Sequence, residues 1–438
     1  MSESRSELRQ KLRKIALEHK EDLQPKVLEA GKDYIPPTGK LVGIEEFQGL
    51  LEASVDMWLT TGRFADEFEK RFAETWGVKK ALLVNSGSSA NLVALSALCS
   101  PKLGERQLRP GDEFITPACG FPTTVAPAIQ YGLKPIFIDV DPSTHNLRPE
   151  DVESAWTPKT KLVMAAHALG NPYRSDLVSE TCKKNGAWFV EDCCDALGAE
   201  VMSQPVGSFA DFSTCSFYPA HHITMGEGGA VLSSKMLLYK IAMSMRDWGR
   251  DCWCPPAISD SCKKRFGWTL GDLPEGYDHK YIYSHLGYNL KSTDFQAAIG
   301  LAQLERLGTF IEKRRANHNY LRSSLLEMGL DEDFILPTET PHTKASWFGF
   351  FVTYRDGKHQ RRKKTVEYLE SKLIGTRLLF GGNLCKQPAM KNVEYTIHQN
   401  LKITDQIMND GFWIGIWPGL EKTHLDYMMD HLKFAVKL

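Results

Sequence analysis

The stretch Ala81–Cys99, ALLVNSGSSANLVALSALC, begins as an apolar strand and continues as a helix. Short apolar runs alternate with helical patterns from about residue 60 to about residue 235. Further strand candidates are DEFITP, KPIFIDVD, KLVMAAHALG and AWFVEDCC, whereas SFYPAHHITMGEGGAVLSS indicates a strand, a loop and a second strand. Strand–helix alternation of this kind is typical of a largely parallel sheet with helices on both faces, so we predict an α/β fold.

The rest of the chain falls into distinct segments. Residues 1–33 are charged with leucines and isoleucine at helical spacing, which predicts an amphipathic helix that the sequence IPPTG at 35–39 ends. Residues 250–285 are irregular and rich in Cys, Trp, Pro and Gly, as in a functional insertion, and a long helix is predicted over 293–329. We therefore expect an N-terminal helical arm (1–40), a large α/β domain (41–310) and a small C-terminal α+β domain (311–438).

Composition excludes several classes of protein. The chain has 438 residues, with 53 Lys and Arg against 54 Asp and Glu, so no overall positive charge favours nucleic acid. It contains no apolar run of about 18 residues, and its N-terminus lacks the apolar stretch of a secretory signal. We expect a cytoplasmic protein with no membrane partner and with reduced thiols, in which ten cysteines need an explanation other than disulfides.

The sequence VNSGSSAN, Val84–Asn91, follows a strand and opens a helix. Gly87 allows a close approach of the backbone, and the N–H groups of Ser88 and Ser89 would lie at a helix N-terminus, where anions bind. Small residues also occupy such turns for packing reasons alone. The motif is therefore either an anion site or a packing feature.

Asp192 stands at the end of the apolar strand AWFVED. Ligands of open α/β sheets bind beyond the carboxyl ends of the strands, where this carboxylate could pair with a protonated ring nitrogen. The alternative is that Asp192 caps a following helix.

The segment Cys215–Gly229, CSFYPAHHITMGEGG, resembles the DegT-type sugar-nucleotide aminotransferases, a branch of the fold-type I pyridoxal-phosphate enzymes. Their pattern is Ser-Phe-His-Pro-x-Lys-x-Ile-Thr-x-Gly-Glu-Gly-Gly, and Gly287–Leu307 resembles a second block of the family. The resemblance implies an aspartate aminotransferase-like fold: a mostly parallel seven-stranded sheet between helices, plus a smaller C-terminal α+β domain. The matching positions of the first block are Ser216, Phe217, Pro219, Ile223, Thr224, Gly226, Glu227, Gly228 and Gly229.

The resemblance also implies a set of cofactor contacts in the large domain. Phe121 would stack on the pyridine ring, and Asp192 would pair with the ring nitrogen. Asn289 would reach the phosphate from the partner subunit, which implies a homodimer with shared active sites. The remaining phosphate contacts would come from Gly87, Ser88, Ser89 and Ser216.

His221 stands where the family has the lysine that binds the cofactor covalently; His222 offers a one-residue alternative register, but the flanking matches favour His221. Since an imidazole cannot form that bond, the cofactor is expected to be held non-covalently as pyridoxamine 5′-phosphate (PMP), with His221 as a base. Tyr218 and Asp195 also replace usual family residues and indicate altered proton transfer. The alternative is a dead enzyme with a repurposed site.

Three cysteines, Cys252, Cys254 and Cys262, lie in the insertion with C-x-C-x7-C spacing. Alone, this spacing fits either a metal site or small buried residues. With Cys194 it resembles the Cys-x57-Cys-x-Cys-x7-Cys set that holds a [2Fe–2S] cluster in some PMP-dependent sugar 3-dehydratases. Cys193 would face the opposite side of its strand. The cysteines expected to be structural are Cys99, Cys119, Cys182, Cys215 and Cys385.

The resemblance, with His221 and the four cysteines, implies C3 dehydration and deoxygenation of CDP-4-keto-6-deoxyglucose on the route to the 3,6-dideoxyhexoses of bacterial lipopolysaccharide. Electrons would come from a separate NADH-dependent iron–sulfur flavin reductase, because the chain has no nicotinamide or flavin fingerprint. A dTDP-sugar 3-dehydratase is the nearest alternative. The GDP-sugar 3-dehydratases share the histidine but lack the cluster, and a non-catalytic scaffold on the same fold is a further alternative.

Overall fold

The computed structural model describes residues 2–256 and 258–438. Short 3-10 helices lie at Pro101–Arg106, Ala168–Gly170, His279–Tyr281, Leu384–Lys386 and Pro388–Met390. The α-helices are α1 (Ser2–Glu18), α2 (Ile44–Asp56), α3 (Arg63–Trp76), α4 (Gly87–Leu98), α5 (Pro122–Gln130), α6 (Pro149–Ser154), α7 (Ser175–Lys184), α8 (Met236–Arg246), α9 (Asp294–Glu327), α10 (His359–Ser371), α11 (Lys402–Asp410) and α12 (Lys422–Ala435).

The strands form one large and two small sheets. They are β1 (Lys80–Val84), β2 (Glu113–Pro117), β3 (Lys134–Ile138), β4 (Thr160–Ala166), β5 (Trp188–Asp192), β6 (Glu200–Val201), β7 (Gln204–Pro205), β8 (Phe212–Ser216), β9 (Gly229–Ser233), β10 (Phe334–Ile335), β11 (Thr343–Lys344), β12 (Gly349–Tyr354), β13 (Thr376–Arg377), β14 (Thr396–Ile397) and β15 (Gly411–Gly415).

The large sheet has the strand order β1-β9-β8-β5-β4-β2-β3-β14. The pairs from β8 through β5, β4 and β2 to β3 are parallel, whereas β9 lies antiparallel between β8 and β1. The strand–loop–strand segment places β9 here, which is why the alternation breaks at that point. The predicted mostly parallel seven-stranded sheet between helices is confirmed, and the two-residue β14 extends its edge.

Alternating side chains of the strands fill the layers on the two faces of the sheet. In β1, Leu82 and Val84 pack in the core beneath α4 and α8, while Ala81 and Leu83 pack on the other face with residues of α3 and α9. This period of two is the strand pattern expected of a sheet buried on both faces. The carboxyl ends of β1, β4, β5 and β8 consequently meet at one edge.

The four-stranded sheet, which we call the small sheet, has the strand order β10-β12-β15-β13. It packs with α10, α11 and α12. Helix α9 matches the long helix predicted over 293–329, and it runs continuously through residues 310 and 311, where we place the domain boundary. Its first half packs on α2 and α3, whereas Leu321 and Leu325 in its second half belong to the core of the small sheet. One helix thus holds the two sheets in a fixed relation.

The predicted N-terminal helix is too long. Helix α1 ends at Glu18, because charged residues and then Pro25 follow without the apolar spacing that a packed helix needs. The insertion at 250–285 is irregular as expected, with one 3-10 turn at His279–Tyr281 in its described part. Among the helices of the described residues, none is both long and apolar enough to cross a membrane.

Candidate active site

A cavity of about 610 Å³ opens at the edge where β1, β4, β5 and β8 end. Residues of the small sheet and its flanks, including Phe348, Arg377 and Trp413, close it from the other side. The site predicted from the sequence lies mostly within this one cavity. The predicted residues that line it are Gly87, Ser88, Phe121, Asp192, Cys194, Asp195, Ser216, Tyr218 and His221.

Gly87 and Ser216 approach each other at the floor of the cavity. A Cβ atom on Gly87 would lie 2.4 Å from Ser216 Cβ and 3.0 Å from Cys194 Sγ, so only glycine fits there. Ser86 caps α4, since its Oγ accepts a hydrogen bond from the Ser89 amide over 3.1 Å. The Ser89 N–H therefore serves the cap, while Gly87 and Ser88 line the cavity at the positively polarised start of the helix.

Asp192 is buried at the end of β5, and three donors fix its carboxylate. Asn91 Nδ2 and Thr124 Oγ1 donate to Oδ2 over 2.8 and 2.7 Å, and the Cys194 amide donates to Oδ1 over 3.1 Å. Asn91 is itself oriented, because its Oδ1 accepts from Thr214 Oγ1 over 2.6 Å. Turns rather than a helix follow Asp192, so it is not a helix cap.

Sequence reasoning assigned no role to Asn91 or Thr124, although Asn91 stands four residues after Gly87, one helical turn along α4. That spacing is the signal that could have identified Asn91. A buried carboxylate with a fixed orientation is suited to pair with a cationic ring nitrogen.

His221 lies against Asp195 at the side of the cavity. Its Nδ1 is buried and lies 3.4 Å from Asp195 Oδ1, without hydrogen-bond alignment. The ring centroid of Phe348 is 5.4 Å from that of His221. With Nδ1 turned to the carboxylate, Nε2 is left as the nitrogen for the cavity. The half-exposed Tyr218 lines the same cavity, and its carbonyl accepts from the His221 amide over 2.9 Å.

His222 faces away from this cavity. Its Nε2 bonds to the Ser346 carbonyl over 2.8 Å, and its ring is buried. Burial, reinforced by the positive charge of Arg314, holds the pKa of His222 well below its usual value. His222, which the alternative register would put in the site, is therefore a structural histidine. His221 is the histidine that faces the cavity.

Phe121 lines the cavity, whereas Asn289 does not. Phe121 lies at the start of α5, is 47% exposed, and its ring meets that of Phe380 edge-on at 6.4 Å. Asn289 is exposed and does not line the cavity; its Oδ1 accepts from Lys291 Nζ over 2.5 Å. Within one chain, Asn289 thus stands apart from the other predicted cofactor residues.

The four predicted cluster ligands lie in two places, one in the cavity and three in the insertion. Cys194 lines the cavity, and burial raises the pKa of its thiol well above the usual value. Cys252, Cys254 and Cys262 are half-buried and interact with one another in the insertion. Burial raises the pKa of Cys254, but hydrogen bonds from Ser261, whose Oγ lies 3.0 Å from Cys254 Sγ, and from neighbouring groups bring it below the usual value.

Thiols are the ligands that iron–sulfur clusters take, but the sulfurs of these three cysteines do not all lie within 4.8 Å of one another. Across the described chain, the one group of three His, Cys, Asp or Glu ligand atoms within 4.8 Å of one another is His167, Glu191 and Cys193. Glu191 is already engaged there, since it accepts from His167 Nε2 and from the Gly207 amide over 2.9 Å each.

Acidic side chains outnumber basic ones around the cavity. Asp192, Asp195 and Glu227 line it, and Arg377 is the single Lys or Arg among its described lining residues. Arg377 lies on β13 at the edge of the small sheet, beside Trp413 of β15. Sequence reasoning missed Arg377, because nothing in the local sequence IGTRLLFGG distinguishes it from a surface arginine.

Comparison with known proteins points to one family. The family model described as the DegT/DnrJ/EryC1/StrS aminotransferase family matches residues 42–433. The lipopolysaccharide biosynthesis protein RfbH of Salmonella typhimurium is 53% identical over 423 residues, which cover 96% of each chain. The dTDP-4-dehydro-2,6-dideoxy-D-glucose 3-dehydratase of Saccharopolyspora spinosa is 47% identical over 96% of this chain and 90% of its own.

A solved structure agrees in fold. The E. coli GDP-4-keto-6-deoxy-D-mannose-3-dehydratase with bound hydrated PLP superposes with a TM-score of 0.81. It is 28% identical, and the match covers 93% of this chain and 100% of that one.

Proposed function

The chain belongs to the DegT/DnrJ/EryC1/StrS aminotransferase family, and on that premise we propose that it is a PMP-dependent sugar-nucleotide 3-dehydratase acting on CDP-4-keto-6-deoxyglucose. One observation carries this proposal. His221 faces the cavity where family aminotransferases have lysine, and no lysine is among the described residues that line it. A site without that lysine favours dehydration over transamination.

The cavity fits the cofactor. Its floor holds the glycine cradle of Gly87 and Ser216 for a phosphate, and its wall holds the fixed carboxylate of Asp192 for a ring nitrogen. When bound, PMP supplies an amine that condenses with a ketone and a ring that takes up electron density. Retention of these contacts argues against a non-catalytic scaffold.

His221 is the proposed base. A neutral imidazole accepts a proton at Nε2, and the carboxylate of Asp195, 3.4 Å from Nδ1, stabilises the imidazolium that results. His221 Nε2 would take up one proton and then deliver it to the C3 hydroxyl of the substrate, which would leave as water. We propose that Tyr218, which lines the same cavity, assists this proton transfer.

The charge distribution supports a sugar nucleotide as substrate. A diphosphate carries negative charge, and Arg377 offers a guanidinium on the side of the cavity opposite the sheet edge. Two parallel N–H groups of an arginine match the oxygens of a phosphate.

Completion of deoxygenation requires reduction. Replacing a C–OH group by C–H consumes two electrons and two protons and releases water. We infer that Cys194, Cys252, Cys254 and Cys262 would hold a [2Fe–2S] cluster, which would supply single-electron transfer, and that a separate NADH-dependent iron–sulfur flavin reductase would be the source of the electrons. The active protein is proposed to be a homodimer in which Asn289 serves the neighbouring site.

A dTDP-linked ketosugar is the second candidate substrate, and the 47% identical relative is the observation that favours it. The relative from Salmonella typhimurium, a lipopolysaccharide biosynthesis protein, supports a role in lipopolysaccharide biosynthesis, which is the setting proposed here for the CDP-linked sugar.

The test is turnover of CDP-, dTDP- and GDP-linked 4-keto-6-deoxysugars by protein loaded with PMP and iron–sulfur cluster, with an added reductase. We expect the CDP sugar to have the highest kcat/KM. A higher value for the dTDP sugar would replace the proposed substrate. Absence of any PMP absorbance after incubation, together with no turnover, would instead support the scaffold.

A further inference from the structure

Arg314, in the middle of α9, carries a buried charge. Its side chain is fully buried, and the described chain places no Asp or Glu oxygen at ion-pair distance from its guanidinium. Its Nε has no hydrogen-bond partner. Because a buried charge without a paired counter-charge is costly, the residue needs a reason beyond packing.

The contacts of Arg314 lead to the candidate base. Nη1 donates to the Phe348 carbonyl over 3.0 Å, and Nη2 donates to the His221 carbonyl over 3.5 Å. The guanidinium also lies 5.6 Å from the centroid of the Phe348 ring, which in turn is 5.4 Å from the ring of His221. One side chain therefore ties the backbone of His221 to the residue that packs on its imidazole.

Charge adds a second link. Asp195 is the carboxylate whose field reaches Arg314, and the same carboxylate faces His221 Nδ1. Burial lowers the pKa of Arg314 to about 10, so the side chain stays cationic at neutral pH. The titratable and charged groups around His221 are Asp195 after β5, Arg314 from α9, the adjacent His222, and Cys194, Asp192, Tyr218, Glu227 and Arg377 on the same cavity.

We propose that Arg314 is a positioning residue for His221. Its two N–H donors, to the carbonyls of Phe348 and His221, fix the His221 loop against the Phe348 ring. Asp195 lies 3.4 Å from Nδ1 on the other side of the ring, so Nε2 is the nitrogen that is left for the cavity. The inference rests on the proposed function only in treating His221 as the base.

Arg314→Met removes the charge at similar length, and Arg314→Lys keeps the charge but lacks the planar guanidinium fork that aims two donors at the two carbonyls. Arg315→Met is the matched control. Arg315 is the next residue of α9 and also binds a carbonyl, that of Ala345 over 2.7 Å, without contacting His221.

The first measurement is the ¹⁵N-histidine NMR spectrum of cofactor-free protein, in which the His221 signal is assigned by its loss in His221→Asn. We expect that signal to move in both Arg314 variants, because they lose the paired contacts to the Phe348 and His221 carbonyls, and to stay in place in Arg315→Met. The second measurement is dehydration kinetics, in which both Arg314 variants should lose about tenfold or more in kcat with KM within about twofold.

An unchanged His221 signal in Arg314→Met would overturn the inference, as would equal losses of rate in Arg314→Met and Arg315→Met. If Arg314→Met does not fold, Arg314→Lys decides, and a wild-type rate in that variant contradicts the positioning role. If wild-type protein turns over no ketosugar, the proposed function fails, while the position of the His221 NMR signal still decides on Arg314.

Discussion

A Cβ atom at position 87 would lie 2.4 Å from Cβ of Ser216, although 129 residues separate the two in the chain. The contact joins the start of α4 to the end of β8, which are the two sides of the proposed phosphate cradle. It also explains in steric terms why a glycine stands at the first position of the helix.

Gly87→Ala should weaken PMP binding at least about tenfold, or about 1.4 kcal/mol, because the added methyl must displace Ser216. Equilibrium titration of the cofactor absorbance measures this loss. Gly308→Ala is the control, since a Cβ there, in α9, meets no atom within 4 Å. Equal affinity of the Gly87→Ala and wild-type proteins would contradict the cradle.

Asp192→Asn should lower the dehydration rate by about tenfold or more, because the amide cannot supply the negative charge that holds a ring nitrogen protonated. Thr124→Val removes one donor to Asp192 but leaves its charge, so the expected loss is only a few-fold. Single-turnover kinetics at saturating PMP separates this effect from weaker binding. If Thr124→Val costs as much as Asp192→Asn, orientation rather than charge is the role of Asp192.

His221→Ala should reduce dehydration by about 10²- to 10⁴-fold, the usual contribution of a general base, while PMP still binds. His222→Gln is the informative control, because His222 bonds to Ser346 outside the cavity and should retain most of the rate. Normal turnover by His221→Ala would exclude it as the base. Loss of rate only in His222→Gln would favour the alternative register of the motif.

The sequence predicted those parts of the molecule that depend on neighbours along the chain. Strand–helix alternation predicted the sheet, and the motif around Gly87 predicted a glycine-lined helix start. Helical spacing also predicted an N-terminal helix that continues past Glu18, but the charged stretch and Pro25 that follow end the helix there. Periodicity reports one face of an element, but not whether anything packs on it.

Contacts made across the fold were not visible in the sequence. Arg314 and Arg377 reach the site from α9 and β13, and only the packing of the small sheet on the large one brings them there. The same limit applies to Cys194, which lies in the cavity, whereas its three proposed partners interact in the insertion. A spacing in the chain specifies ligand types, but not how a loop is placed.

Cys252→Ser should leave the dehydration half-reaction intact and stop formation of the deoxysugar, because only the reductive step needs the cluster. Iron content, visible absorbance and the electron paramagnetic resonance signal of reduced protein should fall together. Cys99→Ala, at a partly buried cysteine outside the site, should retain all three. A cluster signal that survives replacement of Cys194, Cys252, Cys254 and Cys262 together would refute the ligand assignment.

Acid should destabilise the protein through buried histidines. His318 is buried on α9, its ring stacked on Trp347 with centroids 3.8 Å apart, and burial lowers its pKa to about 3. An unfolded histidine has a pKa of about 6.5, so between these values the unfolded state binds more protons and the free energy of unfolding falls as pH falls. His145, whose pKa burial lowers to about 4, acts in the same direction.

The expected contribution of His318 is a loss of about 2 kcal/mol between pH 7 and pH 5, since each full proton is worth about 1.4 kcal/mol per pH unit. His318→Phe keeps a ring for the stack on Trp347 and removes the titration, so it should unfold in urea with a shallower dependence on pH. The surface variant His19→Phe should keep the wild-type slope. An equal slope in wild type and His318→Phe would show that His318 does not drive acid unfolding.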